Sequence, residues 1–363
     1  MCIMSHEGWV ILPSKKLDED IEFFTNTLGM KMDTIYPADN PRVAEISGMG
    51  LRLRIDMDED VSPGLLRICT DESDEKFAGR TRLVAPNGTV IEIAPLNQPM
   101  VIPKTEHSFQ TRRLADNDSW VIGRAGMYYR DLIKGRLGGS IIASHIRIAE
   151  GGPVPDMVHF HKVGFQLIFC INGWVDVVYE DQGEPIRLTA GDCFIQPPEI
   201  RHRVLFSGEN LEVVEIGVPA DHVTVIDHEM KLPSEHLRPD REWQGQKFVH
   251  NQASEATWQE FRLPGFVCRD TTICENTKGV ASVQVVVPNE GETIWSSHEG
   301  DILFNYIMSG GLTLEGESVD SQILGKGDAF VIPPGMRVKY SDATKDLELI
   351  EVSVPGEFKT QFG

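Results

Sequence analysis

The chain has 363 residues, of which 41% are hydrophobic and 25% charged, and its formal net charge is -21. A chain of this length can form two or three domains with a core each. The negative charge argues against binding to nucleic acid or anionic lipid, because such partners need clustered Lys and Arg. No apolar run approaches the roughly 18 to 20 residues that cross a bilayer. We therefore expect no nucleic-acid partner and no membrane association.

The first residues, MCIMSHEGWV, have no basic stretch followed by an apolar one, as a secretory signal would have. The six cysteines, Cys2, Cys69, Cys170, Cys193, Cys268 and Cys274, are scattered without a CxxC pair. A chain of this size does not need disulfides for stability. The pattern favours a cytoplasmic protein with reduced thiols.

Residues 1–100 combine one predicted helix with several predicted strands. In LDEDIEFFTNTLGM, Leu17, Ile21, Phe24 and Leu28 share one helix face, and Gly29 is placed to cap it. WVILPS predicts a strand before this helix, and MKMDTIYP, RVAEIS and LRLRID predict three after it. TRLVAPNGTVIEIAP then predicts a hairpin with a type I′ turn at Asn87-Gly88.

The segments DIEFFTNTLGMKM and APNGTVIEI resemble the vicinal-oxygen-chelate (glyoxalase-like) family. The resemblance implies βαβββ units with metal ligands near the start of the first strand and at a glutamate of the last. Trp9 stands where the resemblance places a histidine, only Glu92 matches, and the second unit lacks its helix. We therefore predict that this α+β module is non-catalytic and serves as a docking or structural domain.

An internal repeat fills the rest of the chain. SWVIGRAGMYYRD (119–131) is echoed by TWQEFRLPGFVCRD (257–270), which pairs Arg124 with Arg262 and Arg130 with Arg269. LTAGDCFIQPPEIRHRV (188–204) is echoed by LGKGDAFVIPPGMRVKY (324–340). The repeat predicts two copies of one all-β unit at 110–235 and 257–363. The polar, proline-containing residues 236–256 are the predicted linker.

The stretch MVHFHKVGFQLIFCING (157–173) holds two histidines one residue apart. Alternate residues of a strand point to the same face, so His159 and His161 should project together. Gln166 on the next predicted strand should lie beside them, and His202 on a later strand can converge from across a small barrel. Three imidazoles and an amide oxygen suit a divalent transition metal. We predict that His159, His161 and His202 are metal ligands and that Gln166 is either the fourth ligand or a hydrogen-bond partner beside the metal.

These residues resemble the motifs of the cupin family, a Gly followed by His-x-His, Glu and Gly, and then a Gly, Pro and His. The matching positions are Gly152, His159, His161, Gln166, Gly173, Gly191, Pro197 and His202. The chain departs from the pattern in the spacing after Gly152 and by having Gln166, Glu199 and Phe206 where the family has Glu, Gly and Asn. The resemblance implies two tandem β-barrels of the jelly-roll type, a bicupin.

Three-histidine iron centres occur in diketone-cleaving and gentisate-type cupin dioxygenases, so the resemblance implies Fe(II) as the metal. Imidazole ligands leave Zn, Mn, Ni and Cu open. In the second copy, Ser296, His298, Leu303 and Val338 stand at the four ligand positions. We therefore predict that the second barrel has lost its metal site.

Other residues are weaker candidates. Arg147 shares strand parity with His145 and could face the barrel mouth as a clamp for a substrate carboxylate. Tyr128 and Tyr129 could cover the pocket, although aromatic residues in a β core more often pack. The remaining candidates, predicted to be surface histidines, are His222, His228, His236 and His250.

The sequence thus favours a mononuclear metal-dependent cupin enzyme, foremost an Fe(II) dioxygenase that cleaves a C–C bond of a small oxygenated or aromatic compound. A redox-neutral Zn or Mn lyase, isomerase or hydrolase is the first alternative. A non-catalytic bicupin that binds or senses a small molecule is the second. We expect a small-molecule substrate and a homodimer, because an all-β chain has strand edges to cover.

Overall fold

The structure is a computed structural model that describes residues 7–71, 75–116 and 120–363. The chain forms two compact units, Met1–Pro99 and Met100–Gly363. Strands dominate both units and the helices are short. This architecture confirms the predicted mainly β fold class.

The first unit opens with the predicted strand, helix and three strands. Its elements are the strand Val10–Pro13, the α-helix Leu17–Glu22, the π-helix Phe23–Thr27 and the strands Lys31–Tyr36, Val43–Gly48 and Leu51–Asp56. The first strand pairs in parallel with the last. The helical segment buries Leu17, Phe24 and Leu28 against the sheet, because these apolar residues recur at helical spacing. Gly29, with φ +73°, ends the segment.

The first unit continues with a three-stranded sheet, and the turn in it differs from the prediction. The strands are Leu65–Thr70, Arg82–Val84 and Val90–Pro95. The Ala85 carbonyl accepts a bond of 2.9 Å from the Gly88 N–H, so Pro86 and Asn87 are the central turn residues. Only Gly88, at φ +89°, has a left-handed conformation among these residues. The predicted type I′ turn is therefore wrong: Pro86 fixes the φ that a type I turn needs, and Gly88 closes the loop.

The first barrel consists of two facing sheets. The seven-stranded sheet contains, in spatial order, Val249–Asn251, Cys193–Ile195, Phe165–Asn172, Leu211–Val218, Ile142–Ile148, Tyr128–Asp131 and Val121–Ile122. The other sheet contains Ile186–Thr189, Trp174–Tyr179, His202–Ser207, His159–Lys162 and Val223–Ile226, with Gly152–Pro153 beside His202–Ser207. Short helices lie at Leu114–Asp116, Arg124–Gly126 and Arg136–Gly139. Alternate side chains of both sheets fill an apolar interior that includes Ile146, Val175 and Val213.

The second barrel repeats this plan. Its seven-stranded sheet contains Trp258–Glu260, Phe266–Asp270, Ser282–Pro288, Glu348–Val354, Ile302–Ser309, Ala329–Val331 and Gln110–Arg112. Its smaller sheet contains Val319–Gly325, Gly311–Gly316, Val338–Ser341, Ser296–His298 and Thr360–Phe362. Helical turns lie at Ala253–Glu255 and Ile273–Asn276. Strands follow one another in the same order in both barrels, so the two copies of the internal repeat are two tandem barrels.

The two barrels exchange strands. Gln110–Arg112 stands at the start of the first predicted copy, 110–235, but pairs with Ala329–Val331 of the second barrel. Val249–Asn251 precedes the second barrel but pairs with Cys193–Ile195 of the first. The predicted linker 236–256 also holds a two-stranded ribbon whose Trp243 is buried in the first barrel. These residues are part of the barrel fold, which a polar composition alone does not reveal.

The outer faces of the two large sheets pack against each other. Leu167, Phe169 and Ile216 of the first barrel meet Phe304 and Val352 of the second in one apolar cluster. Both faces of these sheets are therefore covered, which explains why their central strands are apolar on both sides.

Two buried arginines join the barrels symmetrically. Arg130 donates from Nη2 to the Gly327 carbonyl and Arg269 donates from Nη2 to the Gly191 carbonyl, each at 2.6 Å. Each arginine thus binds the Gly-Asp turn of the opposite barrel. The repeated Arg and Gly-Asp residues of the sequence are explained by this contact.

No helix in the described part of the chain is long and apolar enough to cross a membrane. The described cysteines Cys69, Cys170, Cys193, Cys268 and Cys274 are free thiols. Cys2 lies outside the described residues.

Candidate metal centre

Three histidines of the first barrel meet at one point. His159 and His161 are the buried residues of the strand His159–Lys162, whose other side chains are half-buried. His202 begins the neighbouring strand and pairs directly with His159. One ring nitrogen from each histidine lies within 4.8 Å of the others. Alternation along one strand and register with the next therefore produce the cluster.

Hydrogen bonds fix the orientation of all three rings. The Nδ1 atoms of His159 and His202 bond to the carbonyls of Met157 and Ile200 at 2.7 and 3.0 Å. Nδ1 of His161 lies 2.9 Å from the Thr224 hydroxyl. Nε2 of His159 is buried and has no partner among the described residues. A ring held through Nδ1 offers its other nitrogen to a metal, as metal-binding histidines do.

Burial keeps the three imidazoles neutral. It lowers the pKa of His159, His161 and His202, and the positive charge of Arg124 lowers each further. A neutral imidazole has the free lone pair that a metal ion requires. The donor set, its orientation and its protonation state all fit one divalent cation.

Gln166 lies in the adjoining strand Phe165–Asn172 and is 1% exposed. Its amide nitrogen donates to Oε1 of Glu215 at 2.7 Å. Because a carboxylate only accepts, this bond determines which end of the amide is nitrogen. The Gln166 Oε1 is buried without a partner among the described residues. This oxygen suits the predicted ligand role, and ligation by Gln166 stays a prediction.

A cavity of about 80 Å³ adjoins His161 and His202. Its walls are mostly apolar, with Ile146, Ile148, Ile168, Val175, Val177, Phe194, Val204, Leu211 and Val213 among its lining residues. The polar lining residues include Arg124, Tyr129 and Glu215. Burial and the charge of Glu215 raise the pKa of Tyr129 to about 12, so its hydroxyl is protonated at neutral pH. The cavity is far smaller than the roughly 300–1,000 Å³ of drug-sized sites, which favours a small substrate.

The predicted position of Arg147 at the barrel mouth is wrong. Arg147 is exposed and lies 3.4 Å from the Asn210 side chain. Its strand neighbours Ile146 and Ile148 line the cavity, and adjacent strand residues face opposite sides. Arg147 does share a strand face with His145, as predicted. This face lies on the outside of the barrel, where His145 contacts Tyr306.

Arg124 is the arginine that reaches the cavity. Its pairing with Arg262 in the repeat is the only sequence signal that points to Arg124. Tyr129 lines the cavity as one of the two predicted tyrosines, whereas Tyr128 is 40% exposed. His222, predicted to be a surface residue, is half-buried, and its ring packs at 5.3 Å against His161.

The second barrel lacks the corresponding donors. Ser296, Leu303 and Val338 are buried at three of the four positions. The remaining His298 uses Nε2 to donate to the Ile332 carbonyl at 2.9 Å. Within the described residues, the cluster of His159, His161 and His202 is the one with metal-ligand geometry.

The family model for the cupin domain matches residues 144–217. Salicylate 1,2-dioxygenase from Pseudaminobacter salicylatoxidans superposes with a TM-score of 0.53 at 14% identity, over 72% of this chain and 90% of that one. Oxalate decarboxylase from Lactobacillus farciminis gives 0.53 at 15% identity, over 72% and 91%. A mutant oxalate decarboxylase from Bacillus subtilis gives 0.52 at 14% identity, over 75% and 88%. Comparison with curated proteins finds no match.

These likenesses define the fold class. Residues 144–217 match the model of the cupin domain, and the two barrels share the fold of proteins that include a dioxygenase and decarboxylases. At this level of identity the likeness extends to the fold alone.

Proposed function

We propose that the chain is a mononuclear metal-dependent enzyme whose metal is held by His159, His161 and His202. Within this class we propose an Fe(II) dioxygenase that cleaves a C–C bond of a small oxygenated or aromatic compound. The observation that carries the proposal is the convergence of three oriented, neutral imidazoles beside a small, mostly apolar cavity. The fold is shared with a salicylate 1,2-dioxygenase, so this reaction is compatible with the barrel.

The ligand set is uncharged. Three imidazoles and the Gln166 amide leave the +2 charge of the ion uncompensated, so the site favours anionic groups. When bound, iron(II) would supply the activation of O2 and of a chelating substrate oxygen. The Glu215 carboxylate lines this mostly apolar cavity and is placed to accept or return a proton there.

Two alternatives have support of their own. The first alternative is a redox-neutral lyase, isomerase or hydrolase that uses Zn or Mn as a Lewis acid. It is supported by the Glu215 carboxylate in the cavity and by the fold shared with oxalate decarboxylases. A non-catalytic sensing protein needs only the cavity. Nickel and copper also accept imidazole ligands, so the metal has to be measured.

Elemental analysis of protein purified without added metal gives occupancy and identity. Anaerobic reconstitution with Fe(II), followed by oxygen-electrode measurements with diketones and hydroxylated acids, then tests the reaction. Substrate-dependent O2 uptake supports the dioxygenase, and turnover without O2 replaces it with the lyase. Tight binding without turnover supports the sensor. His202→Ala should abolish metal occupancy, whereas the matched control His228→Ala, at an exposed position, should retain it.

We also propose that the first unit is a glyoxalase-like module without catalysis. Its Glu92 is bound by Arg67, with bonds of 3.1 and 2.9 Å to Oε2, so this carboxylate already has a cationic partner. Glu92→Ala should leave metal content and turnover unchanged, and a loss of either would contradict the proposal. We further propose that the protein is a cytoplasmic homodimer that acts on a small-molecule substrate. Sedimentation analysis tests the oligomeric state.

A further inference from the structure

Both barrels carry an arginine and a glutamate at corresponding positions. The sequence repeat pairs Arg124 with Arg262. Glu215 lies opposite Ile168 and Glu351 lies opposite Asn305 in equivalent strand pairs. The two glutamates therefore correspond as well.

In the second barrel the pair is closed. Arg262 donates from Nε and Nη2 to the two carboxylate oxygens of Glu351, at 2.9 and 2.5 Å. The two side chains are 18% and 4% exposed. This bidentate contact shows that an arginine at this position can hold a carboxylate at the barrel interior.

In the first barrel the pair is kept apart. Glu215 is held by the Gln166 amide at 2.7 Å, a bond that the aliphatic Leu303 cannot provide in the second barrel. Arg124 makes a long contact of 3.5 Å with Asp156, and its side chain remains 40% exposed. Asp156 is itself fixed by the Val204 N–H at 2.9 Å. The Arg124 guanidinium thus lines the cavity with only a long contact to Asp156, while the Glu215 carboxylate is bound by Gln166.

We propose that Arg124 binds the carboxylate of a small acid substrate at the cavity of the metal centre. Gln166 is a positioning residue here, because it holds Glu215 away and leaves Arg124 open to an external carboxylate. The inference deepens the proposed function and rests on it for the location of the reaction. A cavity of about 80 Å³ favours a short acid, whose carboxylate takes the place that the Glu351 carboxylate has in the second barrel.

Binding can be measured without turnover. The full chain, stripped of metal, is titrated with pyruvate and glycolate and with the neutral amides pyruvamide and glycolamide, by ligand-observed NMR. We expect the acids to bind at least tenfold more tightly than the amides. Arg124→Met should remove this preference, and Arg124→Lys should retain part of it. Arg147→Met, which removes the same charge from the outer face of the barrel, should bind like the wild type.

A second pair of variants tests the role of Gln166. Gln166→Leu copies the second barrel, and the released Glu215 should pair with Arg124 and weaken acid binding at least tenfold. The double variant Gln166→Leu/Glu215→Gln should recover it, because the neutral amide no longer competes for the guanidinium. If Gln166 served packing alone, the double variant would bind no better than the single one.

The inference is overturned if the acids do not bind, if acids and amides bind equally, or if Arg124→Met and Arg124→Lys both bind the acids like the wild type. Failure of the proposed function is seen separately, as an absence of metal or of turnover in the reconstituted wild type. If the protein binds acids through Arg124 but holds no metal, the inference is supported and the proposed function is not. If it is a metal enzyme whose acid binding does not depend on Arg124, the proposed function is supported and the inference is not.

Discussion

The closed ion pair of the second barrel allows a quantitative test of its structural role. Glu351→Ala removes the carboxylate from Arg262, whose guanidinium packs within 5.2 and 5.4 Å of the ring centres of Phe261 and Phe358. With the arginine 18% exposed, water replaces the lost partner only in part. Removing one member of a buried pair costs about 3–5 kcal/mol.

The expected loss is visible in thermal unfolding. At about 2–4 °C per kcal/mol for a domain of this size, the Tm should fall by roughly 6–20 °C. The double variant Arg262→Met/Glu351→Leu should recover most of this loss, because a well-packed apolar pair replaces a buried ion pair at little net cost. Denaturant unfolding of both variants and the wild type gives the free energies.

Two results would refute this reasoning. A loss below about 1 kcal/mol for Glu351→Ala would mean that the pair behaves like a solvent-exposed ion pair. A double variant as unstable as the single one would mean that the carboxylate contributes through contacts other than Arg262. Either result would show that the Arg262–Glu351 contact does not stabilise the second barrel in the way that we assign to it.

Other predictions concern metal, pH and the barrel interface. Metal at 100 times its dissociation constant should stabilise the wild type by about 2.7 kcal/mol, and His202→Ala should lose this gain in a thermal-shift titration. Burial lowers the pKa of His298. Below about pH 6.5 the unfolded chain therefore binds a proton at His298 that the folded chain does not, and the free energy of unfolding decreases as the pH falls. His298→Gln should reduce that slope by up to about 1.4 kcal/mol per pH unit, and an unchanged slope in urea unfolding would contradict it. Arg269→Met should cost about 1–3 kcal/mol, because the Gly191 carbonyl loses its buried donor; a change below this range would show that water replaces the bond.

The sequence by itself indicated the two barrels and the pair of histidines that share one strand face. His159 and His161 face one side because strand side chains alternate, and this relation is independent of the rest of the fold. The repeated Gly-Asp and Arg residues likewise predicted two copies of one unit. The first feature is a local pattern and the second is a similarity between two segments of the chain, so neither requires knowledge of the tertiary structure.

Tertiary structure decided which side of each strand is the interior. Arg147 and Arg124 could not be ranked from parity, because parity relates residues within a strand and does not say which face meets the cavity. The exchange of Gln110–Arg112 and Val249–Asn251 between barrels and the bond from Gln166 to Glu215 depend on pairing across long sequence separations. Such contacts are selected by the packing of whole sheets, which the local sequence does not specify.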